Sequence, residues 1–85
     1  MKLVLTRAAR KQLEAMPRGD ASALLGRLKM IAADPFGEHP QARRLAGTIA
    51  GYRVRHGDWR AAYVIERSSG TVIVEAIKHR REIYR

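Results

Sequence analysis

The hydrophobic positions along the chain change their spacing as they go, and each change marks an element. Lys2-Leu3-Val4-Leu5 is a short β-prone run. Thr6 follows as a good helix N-cap, and Ala9, Leu13 and Met16 then recur at i, i+4 and i+7, which predicts a helix from Arg7 to Met16. Pro17, Gly19 and Asp20 interrupt that pattern. Ala21, Leu24, Leu25, Leu28, Ile31 and Ala32 then draw a wider apolar stripe, again at helical period. The turn between the two stripes predicts a helical hairpin facing one core. Asp34-Pro35-Phe36-Gly37 and His39-Pro40 end the second helix, because proline disfavours helix at the residue before it. A loop is expected from there to about Arg44.

From Gly51 the period becomes two. Tyr52 to His56, the dipeptide Gly57-Asp58 and Trp59 to Glu66 read as a β-hairpin, with glycine first in the loop as a type II′ turn requires. Ser68-Ser69-Gly70 marks another turn before Thr71 to Ile77. The predicted order is therefore β-α-α-β-β-β. That is an α+β fold, an antiparallel sheet with a helical hairpin packed on one face. With 85 residues there is no room for a second core, so residues 1–85 form one domain.

A two-residue hairpin loop fixes the register. His56 pairs with Trp59, Arg55 with Arg60, Val54 with Ala61, Arg53 with Ala62 and Tyr52 with Tyr63, and paired residues share a face. Tyr52, Val54, Ala61, Tyr63 and Ile65 then form an apolar face for the helices, while Arg53, Arg55 and Arg60 gather on the other. Counting on through a four-residue loop puts Val72, Val74 and Ala76 on the core face, and Ile73, Glu75, Ile77 and His79 on the arginine face. A bulge would undo that last assignment. Arg55 directly opposite Arg60 costs stability unless an anion lies between them, which is the first functional signal. The competing reading has the arginines fanning into solvent and Glu75 neutralising Arg53.

Composition sharpens this. Seventeen Lys and Arg against eight Asp and Glu give a net charge of +9, spread over both halves, which favours a polyanionic partner such as RNA, DNA, an acidic protein or a membrane surface. Apolar residues make up 46% of the chain, enough to argue against wholesale disorder. There is no cysteine, which excludes disulfides, thiolate chemistry and Cys-ligated metal. His39, His56 and His79 stand apart from one another, so no metal and no cofactor are expected. No apolar run approaches the ~20 residues of a membrane span, and Met1 to Arg10 lacks a signal-peptide core. The expected compartment is the cytosol, with no membrane partner.

Two segments carry a resemblance. Gly51-Tyr52-Arg53-Val54-Arg55-His56-Gly57-Asp58-Trp59-Arg60-Ala61-Ala62-Tyr63 and Ile77-Lys78-His79-Arg80-Arg81-Glu82-Ile83-Tyr84-Arg85 resemble the RelE/ParE superfamily of bacterial toxins from type II toxin-antitoxin modules. The helix spacing, the Asp34-Pro35 break and Arg43-Arg44-Leu45 are similar as well. The resemblance implies a cognate antitoxin. In the RelE branch it implies an endoribonuclease that cuts mRNA in the ribosomal A site and arrests growth, and in the ParE branch a non-enzymatic poison of DNA gyrase. It also implies site residues. Arg60 matches the hairpin arginine at the scissile phosphate, Arg80 the arginine after the last strand, and Tyr84 the C-terminal tyrosine assigned as general base. Arg53 and Arg55 stand where the ribonucleases often carry lysine, which keeps the charge but not a proton-transfer role, since arginine stays protonated. From their place after the last strand, His79 and Arg81 are added to the phosphate-binding set, with solvated charge the alternative for Arg81, and the presence of Arg60, Arg80 and Tyr84 together favours the ribonuclease.

Such a site would promote attack of an RNA 2′-hydroxyl on the adjacent phosphate, giving a cyclic phosphate and a 5′-hydroxyl end. It must remove the 2′ proton, protonate the leaving oxygen and offset the extra negative charge of the transition state. Arginines meet the last need. A dense cationic cluster favours the phenolate form of Tyr84, and either Arg80 or His79 could assist the leaving group. The structural alternatives are that Tyr84 packs on the sheet edge and that Trp59 is a core or rim aromatic. His39 and His56 are read as bystanders, and Tyr52 and Tyr63 as core.

Overall fold

The computed structural model describes residues 1–45 and 51–83. Strand β1 (Lys2–Leu5) leads into helix α1 (Arg7–Ala15), and a break at Met16-Pro17 separates it from α2 (Arg18–Ala33). Thr6 caps α1 as expected, its Oγ1 accepting the Ala9 N–H at 3.2 Å. Helix α2 opens on Pro17, which gives it no side-chain cap, but Asp20 in its first turn complements the helix dipole. The same carboxylate meets His56 Nε2 at 3.3 Å and so ties α2 to the sheet, a structural role for that histidine. His39 likewise holds a loop, its Nε2 lying 2.6 Å from the Asp34 carbonyl oxygen.

Four more strands and a short helix follow: β2 (Ala42–Arg44), β3 (Gly51–His56), β4 (Trp59–Glu66), β5 (Thr71–His79) and α3 (Arg80–Ile83). The sheet order is β1-β5-β4-β3-β2. The β3–β4 register matches the predicted pairs one for one, from Tyr52↔Tyr63 to His56↔Trp59. Gly57 takes φ 55° while Asp58 avoids positive φ, the signature of a II′ and not a I′ turn.

Both helices lie on one face. Leu24, Leu28 and Ile31 pack with Val54, Ala61, Tyr63, Val72 and Val74, all essentially inaccessible, and Ala9 of α1 and Met16 just after it close the core. Burying side chains of this size contributes about 1.5–3 kcal/mol each, which is what holds the helices to the sheet. Tyr63 stacks on Tyr52 with ring centroids 5.3 Å apart. Burial, and secondarily the neighbouring Tyr52, push the Tyr63 phenol up to about 12.

Three expectations are corrected. The stretch to Arg44 is not all loop, because Ala42–Arg44 adds an edge strand antiparallel to β3, with Arg43 opposite Arg53. The sheet is not wholly antiparallel either, since β1 returns at the far edge parallel to β5. Finally, Ala62 pairs with Ala76 but Tyr63 pairs with Val74, so Glu75 bulges out with no opposite residue. The bulge flips everything beyond it. Ile77, 4% exposed, enters the core, and His79 joins Trp59 on the helix side, whereas Ala76 and Lys78 move to the arginine face.

Candidate functional site

The face of the sheet opposite the helices carries a band of cations across four strands. Arg43 lies opposite Arg53, Arg55 opposite Arg60, and Arg60 opposite Lys78. Directly opposed side chains have Cβ atoms about 5 Å apart, so each step roots two like-charged side chains side by side. Arg43, Arg53, Arg55 and Lys78 make no salt bridge among the described residues, and Glu75 does not neutralise Arg53. The neutralising half of the competing reading thus fails, while its other half holds for Arg53 and Arg55, which are exposed to solvent.

Two hollows share this band. Pro40, Gln41, Arg43, Arg53, Arg55 and Arg60 line one. The other has an apolar floor of Leu45, Ala62 and Ala76, rimmed by Arg53, Arg60 and Lys78. Arg53 and Arg60 belong to both. Arg60 is further fixed by its own turn, Nη1 donating to the Gly57 carbonyl at 2.7 Å and to the Trp59 carbonyl at 2.9 Å.

The remaining predicted residues gather elsewhere. His79, Arg80 and Arg81 line a separate hollow at the hairpin tip with Asp58. His79 is not on the arginine face as the unbroken count had it. Its ring meets Trp59 edge-on, with centroids 5.0 Å apart, and its Nδ1 accepts the Arg81 N–H at 3.2 Å. That contact leaves Nε2 to carry the proton of a neutral ring. Arg80 is held to the turn, its N–H donating to the Asp58 carbonyl at 2.6 Å and its Nη1 lying 3.8 Å from Asp58 Oδ1. Tyr84 lies outside the described residues. Trp59 packs against the core, which favours the structural reading of that residue.

Sequence reasoning missed Arg43 and Lys78 as members of the band. Ala42, Arg43 and Arg44 show no alternation that would mark a strand, and three residues are too few to stand out. Lys78 was hidden by the bulge.

The chain matches, over residues 3–84, the family described as ParE toxin of type II toxin-antitoxin system, parDE. It belongs to that family. No curated protein sequence matches this toxin. Its fold is similar to that of the isolated E. coli RelE toxin, at 20% identity over 98% of this chain and 89% of that one, with a TM-score of 0.81. It is similar to a chain of the RelBE2 toxin-antitoxin complex from Mycobacterium tuberculosis, at 21% identity over 93% and 96% of the two chains, with a TM-score of 0.75. A YoeB/ParE toxin from Agrobacterium tumefaciens matches at 20% identity over 93% and 98%, with a TM-score of 0.76. The toxin is thus a type II toxin-antitoxin toxin of the RelE/ParE superfamily. At these identities the structural likeness is one of fold.

Proposed function

We propose that this toxin is a metal-independent endoribonuclease of the cytoplasm that cleaves mRNA in the ribosomal A site and is restrained by a cognate antitoxin. The observation that carries the reading is the band from Arg43 to Lys78, in which successive strands oppose like charges around an apolar floor. A nucleotide chain matches that chemistry, offering phosphates to the cations and flat bases to Leu45, Ala62 and Ala76. Arg60 is the central cation and would offset charge on the phosphorane-like transition state. Arg80 is the second candidate at the phosphate, and Tyr84 the candidate base for the 2′-hydroxyl. His79 faces the helix side of the sheet, which ranks it below Arg80 as a partner for the leaving group. The antitoxin is supported by family membership and by relatives seen in RelB–RelE complexes, such as the one from Pyrococcus horikoshii.

The second reading is the gyrase poison, favoured by the ParE description of the matching family. One experiment separates the two. Purified toxin is added to a defined mRNA on programmed ribosomes with an empty A site, 5′ ends are mapped, and Arg60→Ala, Tyr84→Phe and ribosome-free controls are run alongside. Discrete cuts at the A-site codon are expected, falling by at least about 100-fold in Arg60→Ala, the scale of losing one transition-state donor. Intact mRNA with a toxin that still arrests cells would overturn the ribonuclease and direct attention to gyrase cleavage complexes.

A further inference from the structure

The turn at the tip of the β3–β4 hairpin holds both leading cations. Gly57 supplies a carbonyl to Arg60, while Asp58 supplies a carbonyl to the Arg80 backbone and a carboxylate to its guanidinium. The backbone bond fixes where Arg80 leaves the sheet and does not depend on the Asp58 side chain. The carboxylate does something different. Among the described residues His79, Arg80 and Arg81 line the hollow with it, and of these four Asp58 alone is anionic. Both partners are largely exposed, at 62% and 61%, so the ion pair adds little to folding. It does set what an incoming anion must displace.

We propose that Asp58 is a positioning residue whose carboxylate occupies the phosphate place on Arg80 in the free toxin, and that a nucleic-acid phosphate displaces it on binding. This rests on the ribonuclease reading, which makes Arg80 a phosphate contact. The pair keeps the guanidinium aimed at the hairpin tip between encounters, at the cost of a standing competitor for the substrate. Asparagine in place of Asp58 keeps the turn and the backbone acceptor but removes the competitor. Such a change should strengthen RNA binding, and loss of structure does not produce a gain in affinity.

The test is fluorescence anisotropy with a labelled 2′-O-methyl oligoribonucleotide, which lacks the attacking hydroxyl and stays intact, at physiological ionic strength. Asp58→Asn should bind about two- to fivefold tighter than wild type, the range an exposed ion pair can supply. Asp58→Glu should restore wild-type affinity, and Arg80→Ala should bind more weakly. Asp58→Asn added to Arg80→Ala should change nothing further. Glu66→Gln, at the far end of β4, removes an equal charge and should leave affinity within error. The inference is overturned if Asp58→Asn binds no tighter, if Glu66→Gln tightens binding equally, or if the gain persists without Arg80. If Arg60→Ala and Arg80→Ala both bind as well as wild type, the RNA reading itself fails, a distinct result that takes the inference with it.

Discussion

Replacing Thr6 by valine tests the most consequential small contact in the fold. The Thr6 hydroxyl accepts the Ala9 N–H, capping α1, and donates at 2.8 Å to the carbonyl of Glu75, the bulged residue of β5. Valine has nearly the same shape and neither capability. Loss of the cap costs about 1 kcal/mol. The bond to Glu75 is solvent-accessible, so it adds about 0.5 kcal/mol, the low end for a hydrogen bond. The sum, near 1.5 kcal/mol, corresponds to a drop of about 6–12 °C in Tm for a domain this small. Urea unfolding followed by circular dichroism measures it, with Thr6→Ser as the variant that keeps the hydroxyl and should stay within about 0.5 kcal/mol of wild type. Amide exchange across residues 74–77 should quicken in Thr6→Val, because the bulge loses its external support. A loss under about 0.5 kcal/mol, or equal damage from serine, would refute the account.

Two further outcomes follow from the same structure. The Tyr63 phenol, raised from 10.0 to about 12 chiefly by burial, stays protonated in the folded state after the unfolded chain has ionised. Its contribution is therefore complete below pH 10 and is lost as pH rises through about 12, amounting to roughly 2–3 kcal/mol of stability. Tyr63→Phe should flatten alkaline unfolding in that window, and an unchanged profile would contradict it. Gly57→Ala should cost about 1 kcal/mol in urea unfolding through backbone strain alone, since a Cβ there meets nothing within 4 Å while φ is 55°. A neutral result would mean that the turn relaxes to another conformation.

Local rules made most of the fold legible. A capping threonine, two helical stripes, a proline stop and a two-residue glycine turn are signals in which neighbouring residues decide the outcome, and the β3–β4 register followed from the turn with no slip. What stayed hidden depends on distant partners. The bulge at Glu75 is supported by Thr6, 69 residues earlier, which holds its carbonyl, and it places Ile77 in the core. No window of β5 alone carries that preference. The parallel return of β1 to β5 is likewise a product of packing, since Leu3 and Leu5 read the same in either direction. The site inherits this division. Arg53, Arg55 and Arg60 were legible because the hairpin is local, whereas Lys78 and the true side of His79 followed from the bulge.

The cation band also says what kind of selectivity to expect. A like-charge pair costs stability that water and salt screen, and the band contains three opposed steps of like charge. A domain of this size has only about 5–10 kcal/mol of net stability, so the sheet holds these charges at a real expense. Any polyanion relieves that repulsion, whether RNA or an acidic antitoxin segment. Charge alone therefore sets affinity and its salt dependence without choosing the partner. The choice falls to what lies between the charges. Leu45, Ala62 and Ala76 offer an apolar floor that scattered carboxylates would not use, and between nucleic acids only RNA carries a 2′-hydroxyl beside the phosphate. For this toxin, cleavage is thus the discriminating measurement, and binding is the property its competitors share.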